Sequence, residues 1–361
     1  MRVRFSDVLN IINGKNQKQV ENPNGKYPIY GSGGIMGYAD SYICEPNTVI
    51  IGRKGSINKP IYVEVPFWNV DTAFGLYADK SKLIPKYLYY FCEKFDFEKL
   101  STTVTIPSLT KANLLDIEMQ LPPLDEQYRI VGVLDKVCGL IVKRQSQLNM
   151  LDELVKSRFI EMFGDPVANP HGFKRVTLSE LAEIKIGPFG SLLHKEDYIE
   201  GGHPLLNPSH IIDGKVAPDS KLTISDKKYA ELEAYHLHVG DVIMGRRGEM
   251  GRCAVVPYEG FLCGTGSLLI RVRGEVTADY IQKIISFPSF KKAIEDMAVG
   301  QTMPNLNVPI VSRFQIIKPP VKVQNSYYTF VKQTDKLELV AQKSLEKLEI
   351  LKKSLMQQYF G

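Results

Sequence analysis

The chain repeats itself, and the repeat constrains its fold more than any other feature. Residues 49–55 read VIIGRKG and residues 242–248 read VIMGRRG, with five of seven identical. Pro107, Pro122 and Pro123 recur as Pro304, Pro319 and Pro320, each 197 residues further on. LDELVKSRFIEMFG (151–164) recurs as LEILKKSLMQQYFG (348–361) at that same offset, and VRFSDVLNI (3–11) as VTLSELAEI (176–184) at an offset of 173. One shared string could be chance, but four in the same order mark a duplicated unit. The drop from 197 to 173 gives the second copy about two dozen more residues in its first part, and GPFGSLLHKEDYIEGG (187–202) has only a short counterpart around Lys15 to Lys26. The frame repeats while the loops differ. That pattern suits two binding sites of common architecture and different specificity.

At 361 residues, each half is long enough to bury a core of its own. The 44% hydrophobic and 24% charged residues are ordinary for a globular chain, and no run approaches the ~18 apolar residues of a membrane span. The opening MRVRFSDVLNIINGK lacks the apolar centre of a secretory leader, and the five cysteines are odd in number, dispersed and without a CxxC pair. Reduced thiols and a cytoplasmic location are therefore expected, with neither a disulfide framework nor a zinc site. The net charge of +5 leans toward an anionic partner.

Each copy opens with a short helix or turn and continues in short strands broken by Gly, Pro and Asn: GKYPIYGSGGIMGY, NTVIIGRKG and KPIYVEVP in the first, and GDVIMGRRGEMGRCAVVPYEGFLCGTGSLLIRVRG in the second. A helical stretch follows at 85–100 and 278–297, then a strand that ends at the double proline. Next comes one long helix per copy. In the first, proline precedes Leu124 and Gly164-Asp165-Pro166 follows Phe163, the expected start and stop signals. Its apolar residues, Ile130, Val133, Leu134, Val137, Leu140, Ile141, Leu148, Leu151, Leu154, Val155, Phe159 and Met162, recur mostly at three and four. Tyr327, Phe330, Val331, Thr334, Leu337, Val340, Ala341, Ser344, Leu345, Leu348, Leu351, Leu355 and Tyr359 repeat the stripe in the second. Packing the two helices on each other is the simplest burial. The expected fold class is α+β: two β-rich domains in pseudo-twofold arrangement, separated by two long antiparallel coiled-coil helices. The divisions fall at 1–121, 122–165, 166–318 and 319–361. Forty helical residues would give a rod of ~60 Å, against ~34 Å between successive major-groove faces of B-DNA.

No catalytic signature emerges. There is no P-loop and no HExxH. His236 and His238 lack a third ligand, and Asn207-Pro208-Ser209-His210 lacks the second proline and the aromatic of an adenine-methyltransferase NPPY. Asp96-Phe97-Glu98-Lys99 reads as a solvated helix face, and Gly31-Ser32-Gly33-Gly34 as a tight turn rather than a phosphate loop. What remains suits binding. The turn after the repeated strand carries Arg53 and Lys54 in one copy and Arg246, Arg247 and Arg252 in the other, and arginine reads guanine or clamps phosphate. Arg53 and Arg246 repeat while specificity should not, so a scaffold role for both is an equal reading. The copy-specific loops add Ser32, Tyr38, Lys59 and Lys111, then Ser191, His194, Lys195, Asn207, Ser209, His210, Gln301 and Asn305, polar types that contact base edges and phosphates.

LPPLDEQYRIVGVLDKV (121–137), IPSLTKANLLDIEMQLPP (106–123), the VIIGRKGSI and VIMGRRGEM strands and the closing LKKSLMQQYFG together resemble the specificity subunit of type I restriction–modification systems, over essentially the whole chain. The second copy departs at the turn, with KPPVKVQNSYY in place of LPPLDEQYRI. The resemblance implies that each globular half is a target recognition domain for one half of a split double-stranded DNA site. It implies that the helices act as a ruler for the spacer and dock methyltransferase subunits, two in number. Those partners would bring S-adenosylmethionine for adenine N6 methylation, and motor-nuclease subunits would bring ATP and Mg²⁺. The chain itself would hold no cofactor and no metal, catalyse nothing alone and touch no membrane. The alternatives are a stand-alone DNA methyltransferase or nuclease, and a coiled-coil scaffold that binds only protein.

Overall fold

The computed structural model describes residues 1–54, 56–100, 108–298 and 305–361. The chain divides into two compact units, Met1–Leu148 with Val340–Gly361, and Asn149–Leu339. Each unit combines one β-rich copy with a stretch of both long helices, Leu124–Phe163 and Val321–Phe360.

In the first unit, Leu9–Asn13, Ala73–Ala78, Thr48–Gly52 and Ile61–Val63 form an antiparallel four-stranded sheet in that order. All five residues of the repeated strand Thr48–Gly52 are buried, as a strand covered on both faces requires. A second sheet orders Gly34–Ala39, Tyr27–Gly31 and Trp68–Asn69, the last pair parallel. Arg2–Arg4 pairs with Glu118–Gln120. The helix Pro85–Lys94 lays Tyr87, Leu88 and Phe91 into the core with Phe5, Ile51 and Leu76.

The second unit repeats this plan. Ala182–Ile186, Ser267–Val272, Val242–Gly245 and Cys253–Val255 form the matching four-stranded sheet, and Arg175–Thr177 pairs with Gln315–Ile317. Its second sheet again contains a parallel pair, His203–Leu206 beside Phe261–Cys263, but grows to five strands. The additional residues of this copy supply Tyr198–Ile199, Thr223–Ile224 and the helix Asp226–Glu231. Tyr229 of that helix is stacked between His203 and His236, with ring centroids 3.8 and 3.7 Å apart.

Corresponding tyrosines tie each sheet to the strand ahead of the double proline. Tyr87 donates its hydroxyl to the Gln120 carbonyl (3.1 Å), and Tyr280 to that of Ile317 (3.0 Å). The expected helix ends hold. Both long helices begin just past their proline pairs, and Gly164 takes φ +71° beyond Phe163, the left-handed stop that a side chain disfavours.

Within each unit the two helices run antiparallel. In the first, Ile130 and Leu134 share a core with Met356 and Tyr359, and Arg144 Nε donates to Ser344 Oγ at 3.1 Å. In the second, the Arg158 guanidinium lies over the Phe330 ring, and Phe163 meets Tyr327. The expected apolar stripe is covered only in part. Ile130, Leu134, Val137, Phe159, Tyr327, Ala341 and Leu345 are buried, whereas Leu140, Leu154, Leu337, Val340 and Leu351 are exposed. One partner helix covers a narrow seam. An ideal helix also drifts about 20° per heptad from a 3.5-residue repeat, so some positions in the periodic pattern leave the seam.

Among the described residues, no helix is long and apolar enough to cross a membrane, and no group of three or more His, Cys, Asp or Glu is placed to hold a metal ion.

Candidate nucleic-acid interface

In each copy the repeated strand ends on a glycine packed against a loop from the second sheet. A Cβ on Gly52 would stand 3.0 Å from the Ser32 side chain, and one on Gly245 would stand 3.1 Å from Pro208. Ser32 and the Asn207-Pro208-Ser209 segment therefore flank the Arg53-Lys54 and Arg246-Arg247 turns, in positions that correspond. Loops that differ in sequence meet a frame that does not.

The repeated arginine is bound into that frame by its backbone. Arg53 N–H donates to Thr72 O (2.7 Å), and its carbonyl accepts from Leu109 N–H (2.9 Å). Arg246 does the same with Gly266 (3.0 Å) and Leu306 (2.9 Å). The Arg246 side chain adds a bond from Nε to the Leu306 carbonyl at 3.0 Å, while the Arg53 guanidinium lies over the Phe74 ring. Burial, and then the repulsion of Arg247, make Arg246 less basic than an ordinary arginine. The next residue in each copy, Lys54 or Arg247, is exposed. Arg247 makes no hydrogen bond or ion pair among the described residues. An exposed cation on this turn, without a partner among the described residues, is placed to meet phosphate or a base edge.

Arg252 is tied back. It donates to Glu249 at 2.8 Å and to the Pro208 carbonyl at 3.3 Å. Lys291 reaches the same carboxylate at 2.7 Å, and these two partners hold Glu249 below the usual carboxylate range. Beside them lies a cleft of about 570 Å³ lined by Lys215, Arg252, Lys283 and Lys291 among others. Lys283 and Lys291 come from the helical stretch 278–297, where their spacing reads as a solvated face, so nothing in the sequence singles them out.

The other expected residues divide between surface and interior. Tyr38, Lys59, His194, Lys195 and Ser209 are exposed. Lys111 holds the Ile11 carbonyl at 2.7 Å, which makes it a brace between its helix and the sheet. Asn207 Oδ1 accepts the Gly266 N–H at 3.5 Å. His210, expected on the reading surface, is buried, with Nδ1 bonded to the Leu205 carbonyl at 2.7 Å. A loop that turns sharply at Pro208 needs an internal partner for its own backbone, and this imidazole supplies one. Asn305 is half-buried, and its Oδ1 is enclosed without a hydrogen-bond partner among the described residues. Ser191 lies in the short 3₁₀ turn Gly190–Leu192. Gln301, and the repeat prolines Pro107 and Pro304, fall outside the described residues.

Comparison with known proteins gives the family and the fold. The family model described as the type I restriction modification DNA specificity domain matches twice, over residues 1–150 and 170–349. Among curated relatives, the type I restriction enzyme MjaVIII specificity subunit of Methanocaldococcus jannaschii is 21% identical, covering 98% of this chain and 90% of the relative. The EcoKI specificity subunit of Escherichia coli K12 is 21% identical over 89% of this chain and 75% of its own. The crystal structure of the type I restriction–modification S subunit from M. genitalium superposes with a TM-score of 0.65 at 17% identity, covering 100% of this chain and 96% of that one.

Proposed function

Because this chain belongs to the type I restriction–modification DNA specificity family, with both copies matched by the family model, we propose that each unit reads one half of a bipartite, asymmetric double-stranded DNA site. The observation that carries this reading is the pair of corresponding turns. Lys54 and Arg247 stand exposed on a frame repeated in backbone hydrogen bonds, and the loops beside them, around Ser32 and around Asn207 to Ser209, have nothing in common. A shared frame with unlike loops is what two unequal half-sites require. The cations would supply the salt-dependent phosphate term, and the loops the base contacts.

The two long helices set the spacer between the half-sites and dock two methyltransferase subunits. Support for docking comes from Leu140, Leu154, Leu337, Val340 and Leu351, large apolar side chains left exposed on helices otherwise rich in charge. The methyltransferase subunits bring S-adenosylmethionine, and motor-nuclease subunits bring ATP and Mg²⁺. This chain acts in the cytoplasm as a non-catalytic subunit. In favour of that last point, burial holds Cys44, Cys92, Cys253 and Cys263 as protonated thiols, and three of the histidines serve as braces: His210 on Leu205, and His203 and His236 on Tyr229.

The test is equilibrium binding of the purified chain to a randomised duplex pool across a salt series. Affinity should fall linearly on logarithmic axes as salt rises, and selection should enrich two separated sequence blocks. Incubation with S-adenosylmethionine and DNA, or with Mg²⁺ and DNA, should give no turnover. Methylation or cleavage by the chain alone would establish the enzyme reading instead.

A further inference from the structure

The hairpin Tyr27–Gly31 and Gly34–Ala39 carries an apolar tip that the core does not use. Gly31 pairs with Gly34 and leaves Ser32-Gly33 as a two-residue turn. The register then slips: Tyr30 faces Ile35, and Ile29 faces Gly37, so Met36 is an additional residue in the second strand. A bulge of this kind re-aims side chains and breaks the in–out alternation. Here it leaves Ile35 56% and Met36 63% exposed, side by side. The opposite face of the same sheet is closed by Ile29, Ala39, Trp68 and Val70 and has no need of them.

Adjoining exposed apolar side chains can mark a contact surface, and the surroundings of this pair say for what. The Met36 thioether folds over Gly31, 2.6 Å from where a side chain there would begin, and the adjoining Ser32 packs on Gly52. Gly52 leads directly into the exposed Arg53 and Lys54. The apolar tip and the cations thus share one end of the unit. Cations call for phosphate. Two apolar side chains beside them match the one apolar group that a base edge presents in the major groove of DNA, the thymine 5-methyl. The second unit carries Asn207-Pro208-Ser209 where Ser32 stands, so the Ile–Met hairpin tip itself is not repeated there.

Resting on the DNA-reading function proposed above, we infer that Ile35 and Met36 form a thymine-methyl contact that makes the half-site of the first unit require a T·A pair in a fixed orientation. Removing the methyl removes the contact and leaves the hydrogen-bond pattern of the pair intact.

Two otherwise identical randomised duplex pools, one with thymine and one with deoxyuridine throughout, separate this contact from every other. The full chain should select a two-block motif from the thymine pool. In the deoxyuridine pool, affinity for that motif should fall about four-fold per buried methyl, the factor that burial of one methyl-sized group gives, with the loss confined to one block. Ile35→Ser/Met36→Ser should select alike from both pools, with the other block unchanged as proof of folding. Met36→Leu should keep the thymine preference. Should the double variant select nothing, Ile35→Ala carries the same comparison. Equal selection by the unaltered chain from both pools, or a thymine preference that survives the double substitution, overturns the methyl contact and leaves the DNA-reading function standing. No selection from either pool overturns both.

Discussion

Gln127 accepts the backbone N–H of Ile84 at 2.8 Å, and in the second copy Gln324 accepts that of Thr277 at 2.9 Å. Both glutamines are fully buried at the start of a long helix, and each also donates to the carbonyl of the first proline of its pair, Pro122 or Pro319, at 2.9 Å. One side chain thereby joins the helix start, the double proline and the residue that opens the domain's own helix, Pro85–Lys94 or Ala278–Ile285. An amide can do this because it donates and accepts at once.

Replacing either glutamine with leucine orphans a backbone N–H and a proline carbonyl. A loss of about 2–3 kcal/mol of stability is expected at each site, from ~1–3 kcal/mol per unsatisfied group. Urea unfolding should show losses of similar size for Gln127→Leu and Gln324→Leu. A loss in one copy only would deny their equivalence.

The neighbouring arginines in the second copy should separate by phenotype. Arg246→Ala removes the bond to Leu306 and should cost about 1 kcal/mol of stability. Arg247→Ala breaks no hydrogen bond or ion pair among the described residues, so it should leave unfolding unchanged while weakening DNA binding and reducing the salt slope by about 1. Lys54→Ala should behave like Arg247→Ala. The readouts are thermal melts and binding isotherms across salt.

Much of this arrangement is legible in the residues themselves. The repeat offsets correctly pair the strands Thr48–Gly52 and Val242–Gly245 and the two 40-residue helices. Gln324 is hidden because PPVKVQ shares only its prolines and glutamine with PPLDEQ, and a departure in three residues conceals a conserved role in the fourth. His210 reads as a surface histidine in a polar loop, since no local pattern records that Leu205 O needs a partner. The exposure of Leu140 and Val340 is likewise set by which neighbours are present, and periodicity names only the residues that share a face.

Those exposed helix residues give a further test. Leu154→Glu and Leu351→Glu lie outside any packed core, so each should change stability by less than about 0.5 kcal/mol. Each should abolish co-purification with a co-expressed methyltransferase subunit. Retained co-purification in both variants would move the docking surface elsewhere.

Burial pushes the thiols of Cys44 and Cys253 up to about 12, and those of Cys92 and Cys263 further. The thiolate is the reactive form. These four cysteines should therefore resist alkylation throughout pH 7–9 in the native state, with Cys138, half-buried, the one that reacts. Mass spectrometry after brief iodoacetamide treatment should find one modified cysteine natively and five in denaturant.

The central claim is that two units read two unequal half-sites, and adenine-methylation mapping of the host genome tests it most directly. Mapping should compare the intact strain, a strain lacking this gene, and one in which residues 176–320 are exchanged for those of a relative. The account predicts a split adenine-methylated motif with unequal halves that disappears with the gene, and whose second-unit half alone changes in the exchange. A motif that persists without the gene, or an exchange that alters both halves, would contradict it.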